Sequence, residues 1–190
     1  MRLTWLLRSG FMWALAGLVF IGMGTYNAVA TWLEPILKNY GEAGAAGNLI
    51  AIMTVAGIAG AAVLPAWVAR RDRRRTMLVA AVTASVVVFT AVALRHDVVW
   101  IGAWFVVEGF LLMASLPVVL DWSELRAGAQ RHGEAAGFLL MAGNLGGLVL
   151  PGLLQLLLGS SALPLLLLAG AGAVGIPISL RLPIRGEPRV

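Results

Sequence analysis

The chain has 190 residues, of which 60% are hydrophobic and only 12% are charged, whereas an ordinary soluble domain has about 25% charged residues. The hydrophobic excess excludes a soluble globular domain. Cysteine is absent, so the sequence offers no disulfide framework, no zinc-thiolate cluster and no thiol nucleophile.

Six apolar stretches separated by short charged breaks fill the chain. Each is long enough to cross the hydrocarbon core as a helix, because about 20 residues at a rise of 1.5 Å cover its roughly 30 Å. Membrane strands are excluded, since the runs are continuous and lack the alternation of lipid-facing and lumen-facing residues. We therefore predict an all-α polytopic membrane protein with spans at residues 11–33, 47–69, 77–94, 98–120, 135–158 and 162–180, in one domain covering 1–190.

Arginine is concentrated in alternate breaks. Twelve basic residues fall on one side, and only Lys38 and Arg95 fall on the other. The positive-inside rule then predicts a multi-pass protein of the cytoplasmic (inner) membrane with both termini, including the tail 181–190, in the cytoplasm. A nucleic-acid partner is not expected, because the basic run lies between two spans and lacks interleaved aromatic residues. The basic residues of the cytoplasmic side are Arg2, Arg8, Arg70, Arg71, Arg73, Arg74, Arg75, Arg126, Arg131, Arg181, Arg185 and Arg189.

Polarity repeats every three spans. Spans three and six carry no charged or amide side chain, whereas the other four each carry at least one. Because a buried amide or carboxylate needs a partner and an apolar helix can face lipid, spans three and six are expected outside a polar interior formed by the others. The pattern predicts two inverted three-helix repeats, at about residues 11–94 and 98–180.

Polar residues at steps of three and four share one face of span one and one face of span five. Near the middle of the spans such residues indicate a solute path. The alternative is that they only hydrogen-bond between packed helices. The candidate residues for a substrate or ion path are Asn27, Thr31, Glu34, Asn48, Glu108, Met141 and Asn144.

Glu108 is the acidic residue deep within a span. A charged carboxylate at that depth costs several kcal/mol, so it is expected to be paired, hydrated in a cavity or protonated. We hypothesise that Glu108 faces a central cavity and binds a cationic solute or a coupling proton, with Asn27 and Asn144 supplying hydrogen bonds. The alternative is a protonated Glu108 bonded to a neighbouring helix backbone.

The loop after span two, PAWVARRDRR at residues 65–74, resembles the G-x-x-x-D-R-x-G-R-R loop of the major facilitator superfamily. Arg70, Arg73 and Arg74 match that motif, whereas Pro65, Ala69 and Asp72 depart from it. Arginines here are also predicted to bind last-turn carbonyls or the acids of neighbouring loops, Asp121 and Glu124.

Two further segments carry the resemblance. Residues 26–37, YNAVATWLEPIL, look like the seventh helix of bacterial members related to the feline leukaemia virus receptor group, and RHGEAAG (131–137) with GNLGG (143–147) is similar to their helix eleven. The resemblance implies that spans one to six correspond to helices seven to twelve, the C-terminal half of a transporter of small organic solutes.

A half needs a second six-helix half, either covalent in a longer protein or supplied as a separate or identical subunit. The sequence favours a C-terminal fragment, and a non-transporting scaffold or inactive fragment is the alternative function. An enzyme is not expected, because His96 and His132 lie in loops and Glu108 is a single deep carboxylate. No cofactor and no metal is predicted.

Overall fold

A computed structural model describes residues 4–184 apart from residues 43, 129 and 161, and this described chain is helical throughout. Arg2, Arg185 and Arg189 of the predicted cytoplasmic side lie outside the described residues. The helices are α1 (Thr4–Arg8), α2 (Gly10–Lys38), α3 (Ala46–Arg70), α4 (Arg74–Leu94), α5 (Val98–Ala127), α6 (His132–Gln155) and α7 (Leu163–Leu180).

Helices α2 to α7 are the six predicted spans. All six are long and apolar enough to cross a membrane, which confirms the all-α, six-span prediction. The predicted limits agree within a few residues, except that α2 and α5 continue to Lys38 and Ala127. Both extensions carry charged residues. A helix satisfies its own backbone hydrogen bonds, so it can continue beyond the apolar stretch into the interface.

Local sequence signals set the helix ends. The side chains of Ser9 and Asp97 accept hydrogen bonds from the backbone N–H groups of Met12 and Trp100, and so cap the N-termini of α2 and α5. Gly128 ends α5 with a φ of 74°, a conformation that glycine adopts without steric cost.

The helices pack mainly in three pairs, α2 with α6, α3 with α5, and α4 with α7. Helices α2 and α5 also contact each other, and the α4/α7 pair packs against both. Because successive spans alternate in direction, α2 and α6 run parallel, and so do α3 and α5. One end of the bundle, called here the arginine-rich end, contains the start of α2, the α3–α4 turn, the end of α5, the start of α6 and the end of α7.

Equivalent contacts occur in the α2/α6 and α3/α5 pairs. A side chain at Gly143 of α6 would collide with Met23 of α2. In the other pair, a side chain at Gly57 of α3 would collide with Met113 of α5. Two glycine-to-methionine contacts therefore connect the second helix of one repeat with the first helix of the other.

One turn further along α6 and along α3, a second glycine lies against the backbone of the same partner helix. A Cβ atom at Gly146 would meet the carbonyl group of Phe20, and a Cβ atom at Gly60 would meet the carbonyl group of Phe110. The two repeats thus have matching interfaces. They are inverted, since equivalent helices are three positions apart in the chain and successive helices reverse direction.

The positions of spans three and six differ from the prediction. Helix α4 is not a purely lipid-facing helix, because it contributes Leu78, Ala81, Val82 and Ser85 to an internal cavity. The least buried spans are instead α3 and α6. For α4 the reason is Ser85, a polar residue that the prediction did not count and that hydrogen-bonds Glu108 of α5.

Candidate functional site

The core of the bundle consists of two apolar clusters, one toward each membrane surface. The cluster at the arginine-rich end includes Met12, Trp122 and Leu139, and the cluster at the other end includes Phe89 and Phe105. Between the two clusters, several helices place polar side chains in the interior of the bundle. Those of this middle layer that are buried or half-buried are Thr25, Tyr26, Asn27, Thr54, Ser85 and Glu108.

A cavity of about 200 Å³ lies between α2, α4 and α5. It extends from the middle layer toward the arginine-rich end, and most of its wall is apolar. Because α2 and α5 are the first helices of the two inverted repeats, the cavity lies at the interface between the repeats. The polar side chains on its wall are those of Tyr26, Asn27, Ser85 and Ser115.

Glu108 is buried beside this cavity, with 1% of its surface exposed. Its Oε1 atom lies 2.7 Å from Ser85 Oγ, which connects α5 to α4. Its Oε2 atom has no hydrogen-bond partner among the described residues. Glu108 therefore reaches the cavity through Ser85, which lines the wall, rather than by facing an open chamber.

The Ser85 hydroxyl has two oxygen neighbours but only one hydrogen. It lies 3.3 Å from the Ala81 carbonyl and 2.7 Å from the Glu108 carboxyl group. In the shorter of the two contacts, Ser85 donates to Glu108 Oε1. No Lys or Arg side chain hydrogen-bonds or ion-pairs with Glu108 in the described part of the chain.

Asn27 and Tyr26 form the α2 side of the middle layer. The Asn27 amide donates to the Met23 carbonyl of its own helix at 2.8 Å, and the Tyr26 hydroxyl lies 3.2 Å from Thr54 Oγ1 of α3. Asn27 also approaches Gly147 of α6, where a Cβ atom would lie 2.8 Å from its Nδ2 atom. Asn27 thus lies both on the cavity wall and in the α2/α6 interface.

The other predicted path residues do not line this cavity. Thr31 is exposed on α2, and Asn48 is exposed in the first turn of α3. Glu34 is exposed at the far end of α2, where its Oε1 atom accepts a hydrogen bond of 2.8 Å from the Gly44 backbone and holds the α2–α3 loop. Met141 and Asn144 are exposed on α6.

The arginine loop after α3 has one deeply packed member. Arg74 has 8% of its surface exposed, and its guanidinium binds Asp121 of α5 at 2.7 Å and Asp72 at 3.1 Å. Arg70 and Arg73 are exposed. The acidic partner is therefore one of the two that the sequence predicted, and the arginine that binds it is Arg74.

Replacing Arg74 by alanine is expected to lower the unfolding temperature of the chain in detergent. The change removes two charge-assisted hydrogen bonds and leaves Asp121 without its cation, at a cost of about 1–2 kcal/mol. Arg70→Ala, which removes an exposed arginine of the same loop, is the matched control and should change the temperature little. Equal shifts for the two variants would contradict a specific role for the Arg74 ion pair.

Sequence reasoning missed Ser85, Ser115 and the Tyr26–Thr54 contact. A serine in the middle of an otherwise apolar span was the available signal for Ser85, because a hydroxyl in hydrocarbon also needs a partner. Ser115 instead bonds the Leu111 carbonyl of its own helix at 2.9 Å, and nothing in its spacing distinguishes it.

Comparison with known proteins gives one informative relative. An uncharacterized protein of Archaeoglobus fulgidus is 31% identical over 169 residues, which cover 88% of this chain and 77% of the relative. No family model matches the chain.

Proposed function

Because the chain belongs to the same family as the uncharacterized Archaeoglobus fulgidus protein, whose name assigns no activity, we propose a function from the cavity itself. The chain is half, or the C-terminal part, of a secondary active transporter. It moves a small organic solute by alternating access. The resemblance of its loop and of segments 26–37 and 131–147 to the major facilitator superfamily supports this proposal.

The observation that carries the proposal is the location of the cavity. Substrate and ion sites of secondary transporters lie near the membrane midplane, at the interface between inverted repeats. The cavity lies between α2 and α5, and the residues that give it hydrogen-bonding groups, Tyr26, Asn27, Ser85 and Ser115, are near the middle of their helices. Both features support the proposal. Its apolar wall suits a solute with hydrocarbon parts.

A second six-helix half is part of this proposal, and α6 supplies the reason. Asn144 is exposed in the middle of α6, between Met141 and the 72%-exposed Leu148, and its amide makes no hydrogen bond with the other described residues. An amide facing lipid is unfavourable, because hydrocarbon offers no hydrogen-bond partner. A partner half, covalent or a separate or identical subunit, would cover this face.

A non-transporting scaffold is the alternative. It needs no water-accessible path, so the two functions differ in whether water reaches the cavity. The absence of cysteine makes this test direct, since any single introduced cysteine is the only thiol in the chain.

The test uses Ser115→Cys, a nearly isosteric change on the cavity wall, in the assembled transporter. We expect this cysteine to react with a small water-soluble methanethiosulfonate reagent. We also expect the modification to block uptake, measured with a panel of organic cations, carboxylates and neutral solutes. Val174→Cys, on an exposed apolar position of α7, is the control and should stay unreactive. If Ser115→Cys is equally unreactive, the proposal fails.

Orientation in the cytoplasmic membrane follows from the basic asymmetry, with the arginine-rich end in the cytoplasm. Reporter fusions after Arg75 and Arg95 test this orientation. A cytoplasm-dependent reporter should be active after Arg75 and inactive after Arg95, because α4 separates the two positions. Activity of that reporter after Arg95 would contradict the proposed orientation.

A further inference from the structure

A second cavity lies at the arginine-rich end, away from the proposed solute site. Its volume is about 720 Å³, and it is enclosed by the start of α2 and the ends of α5 and α7. Two guanidinium groups and several apolar side chains share its wall. The lining residues are Gly10, Phe11, Trp13, Ala14, Arg126, Ile178, Arg181, Leu182 and Pro183.

Among the described residues, neither arginine of this cavity forms an ion pair. Both ion pairs of the described residues belong to Arg74. The guanidinium of Arg126 packs over the Phe11 ring, 4.6 Å from its centroid, and its Nε atom is buried without a hydrogen-bond partner among the described residues. Arg181 follows the last turn of α7 and is exposed. Two cations without an acidic partner in the described part of the chain therefore lie beside one cavity.

The rest of the wall is that of a membrane interface. Phe11 and Trp13 lie in the first turn of α2, and tryptophan is a residue type that is enriched at the level of lipid headgroups. Below them, Ala14 and Ile178 extend the wall between α2 and α7, and Ile178 packs against Gly17. The cavity therefore places two arginines beside an apolar wall that continues along α2 and α7.

We propose that this cavity binds the phosphate headgroup of an anionic phospholipid, with Arg126 and Arg181 on the phosphate and the first part of an acyl chain along Ala14 and Ile178. Basic pockets between transmembrane helices recognise such headgroups. The planar guanidinium suits phosphate, because it donates two parallel hydrogen bonds. A free phosphate ion would use the arginines but gain nothing from the apolar wall, so the lipid is the occupant that uses the whole cavity.

The test measures lipid binding by the full chain in detergent, with native mass spectrometry and thermal unfolding as readouts. Phosphatidylglycerol is expected to remain bound and to raise the unfolding temperature, whereas phosphatidylcholine is not. Inorganic phosphate at millimolar concentration is expected to compete poorly. Displacement of the lipid by phosphate, or equal binding of phosphatidylcholine, would overturn the assignment.

Variants locate the site. Arg181→Gln is expected to weaken phosphatidylglycerol binding about fivefold, and the double change with Arg126→Gln more strongly. Arg126→Lys keeps the charge and the packing of the side-chain stem, so it should retain most of the phosphatidylglycerol binding. A loss that occurs with Arg126→Gln but not with Arg126→Lys therefore does not come from misfolding. Arg71→Gln is the control, because Arg71 is an exposed arginine that packs on Trp67 outside the cavity. An equal loss with Arg71→Gln would show that general surface charge binds the lipid and would overturn the proposal.

Discussion

Replacing Gly146 by leucine is expected to reduce the folded yield in detergent, since overpacking costs about 1–3 kcal/mol, which lowers the folding equilibrium constant roughly tenfold or more. Gly146 lies where α6 crosses α2, and any Cβ atom there would meet the carbonyl group of Phe20. Backbone cannot move aside as a flexible side chain does, so the two helices must separate. The measurement is the monodisperse fraction after purification.

Leu148→Phe is the matched control in the same helix. Leu148 is 72% exposed, so a larger apolar side chain meets no neighbour within the six-helix bundle. Its folded yield should equal that of the parent chain. The repeat adds an internal check, because Gly60→Leu should be as damaging as Gly146→Leu, given that Gly60 meets the Phe110 carbonyl in the equivalent way. Equal yields for Gly146→Leu and Leu148→Phe would remove the close-approach argument.

Replacing Glu108 is expected to have opposite effects on stability and on transport. Glu108→Met should leave the unfolding temperature unchanged or raise it, because an apolar side chain of similar shape replaces a buried carboxyl group that has one unpaired oxygen. Ser85 keeps its hydrogen bond to the Ala81 carbonyl, so the change orphans no donor. A large loss of stability would contradict this expectation and show that the hydrogen bond from Ser85 to Glu108 stabilises the fold.

Transport distinguishes the charge role of Glu108 in the assembled transporter. Glu108→Gln keeps the shape and hydrogen bonding of the side chain but cannot bind or release a proton, so we expect uptake to lose its dependence on pH and to fall at least several-fold. Glu124→Gln, at an exposed carboxyl group near the arginine-rich end, is the control. Uptake by Glu108→Gln that matches the parent at every pH would rule out a proton or cation role for this residue.

The sequence predicted the spans well because their signal is local. A helix in hydrocarbon must satisfy its own backbone and must be about 20 residues long, so apolar length alone locates it. A polarity pattern that recurs every three spans predicted the repeat, and the α2/α6 and α3/α5 pairs make matching glycine contacts.

The candidate site was only partly predictable. Asn27 lies on the cavity wall and Glu108 beside it, whereas Met141 and Asn144 lie on the exposed face of α6, and Glu34 holds a loop. Helical spacing correctly grouped residues that share a face. It does not tell which neighbour that face meets, because the rotation of each helix about its axis depends on packing with all the others.

The sequence by itself thus determined the number, length and alternating direction of the six helices, since bilayer thickness and backbone hydrogen bonding act on each span separately. Only the tertiary structure decided that Ser85 of α4 meets Glu108 of α5, that Arg74 rather than Arg70 binds Asp121, and that Arg126 and Arg181 share one cavity. These contacts join residues that are distant in the chain. Their geometry depends on how α2, α4, α5 and α7 pack side by side, and no local pattern of residues contains that information.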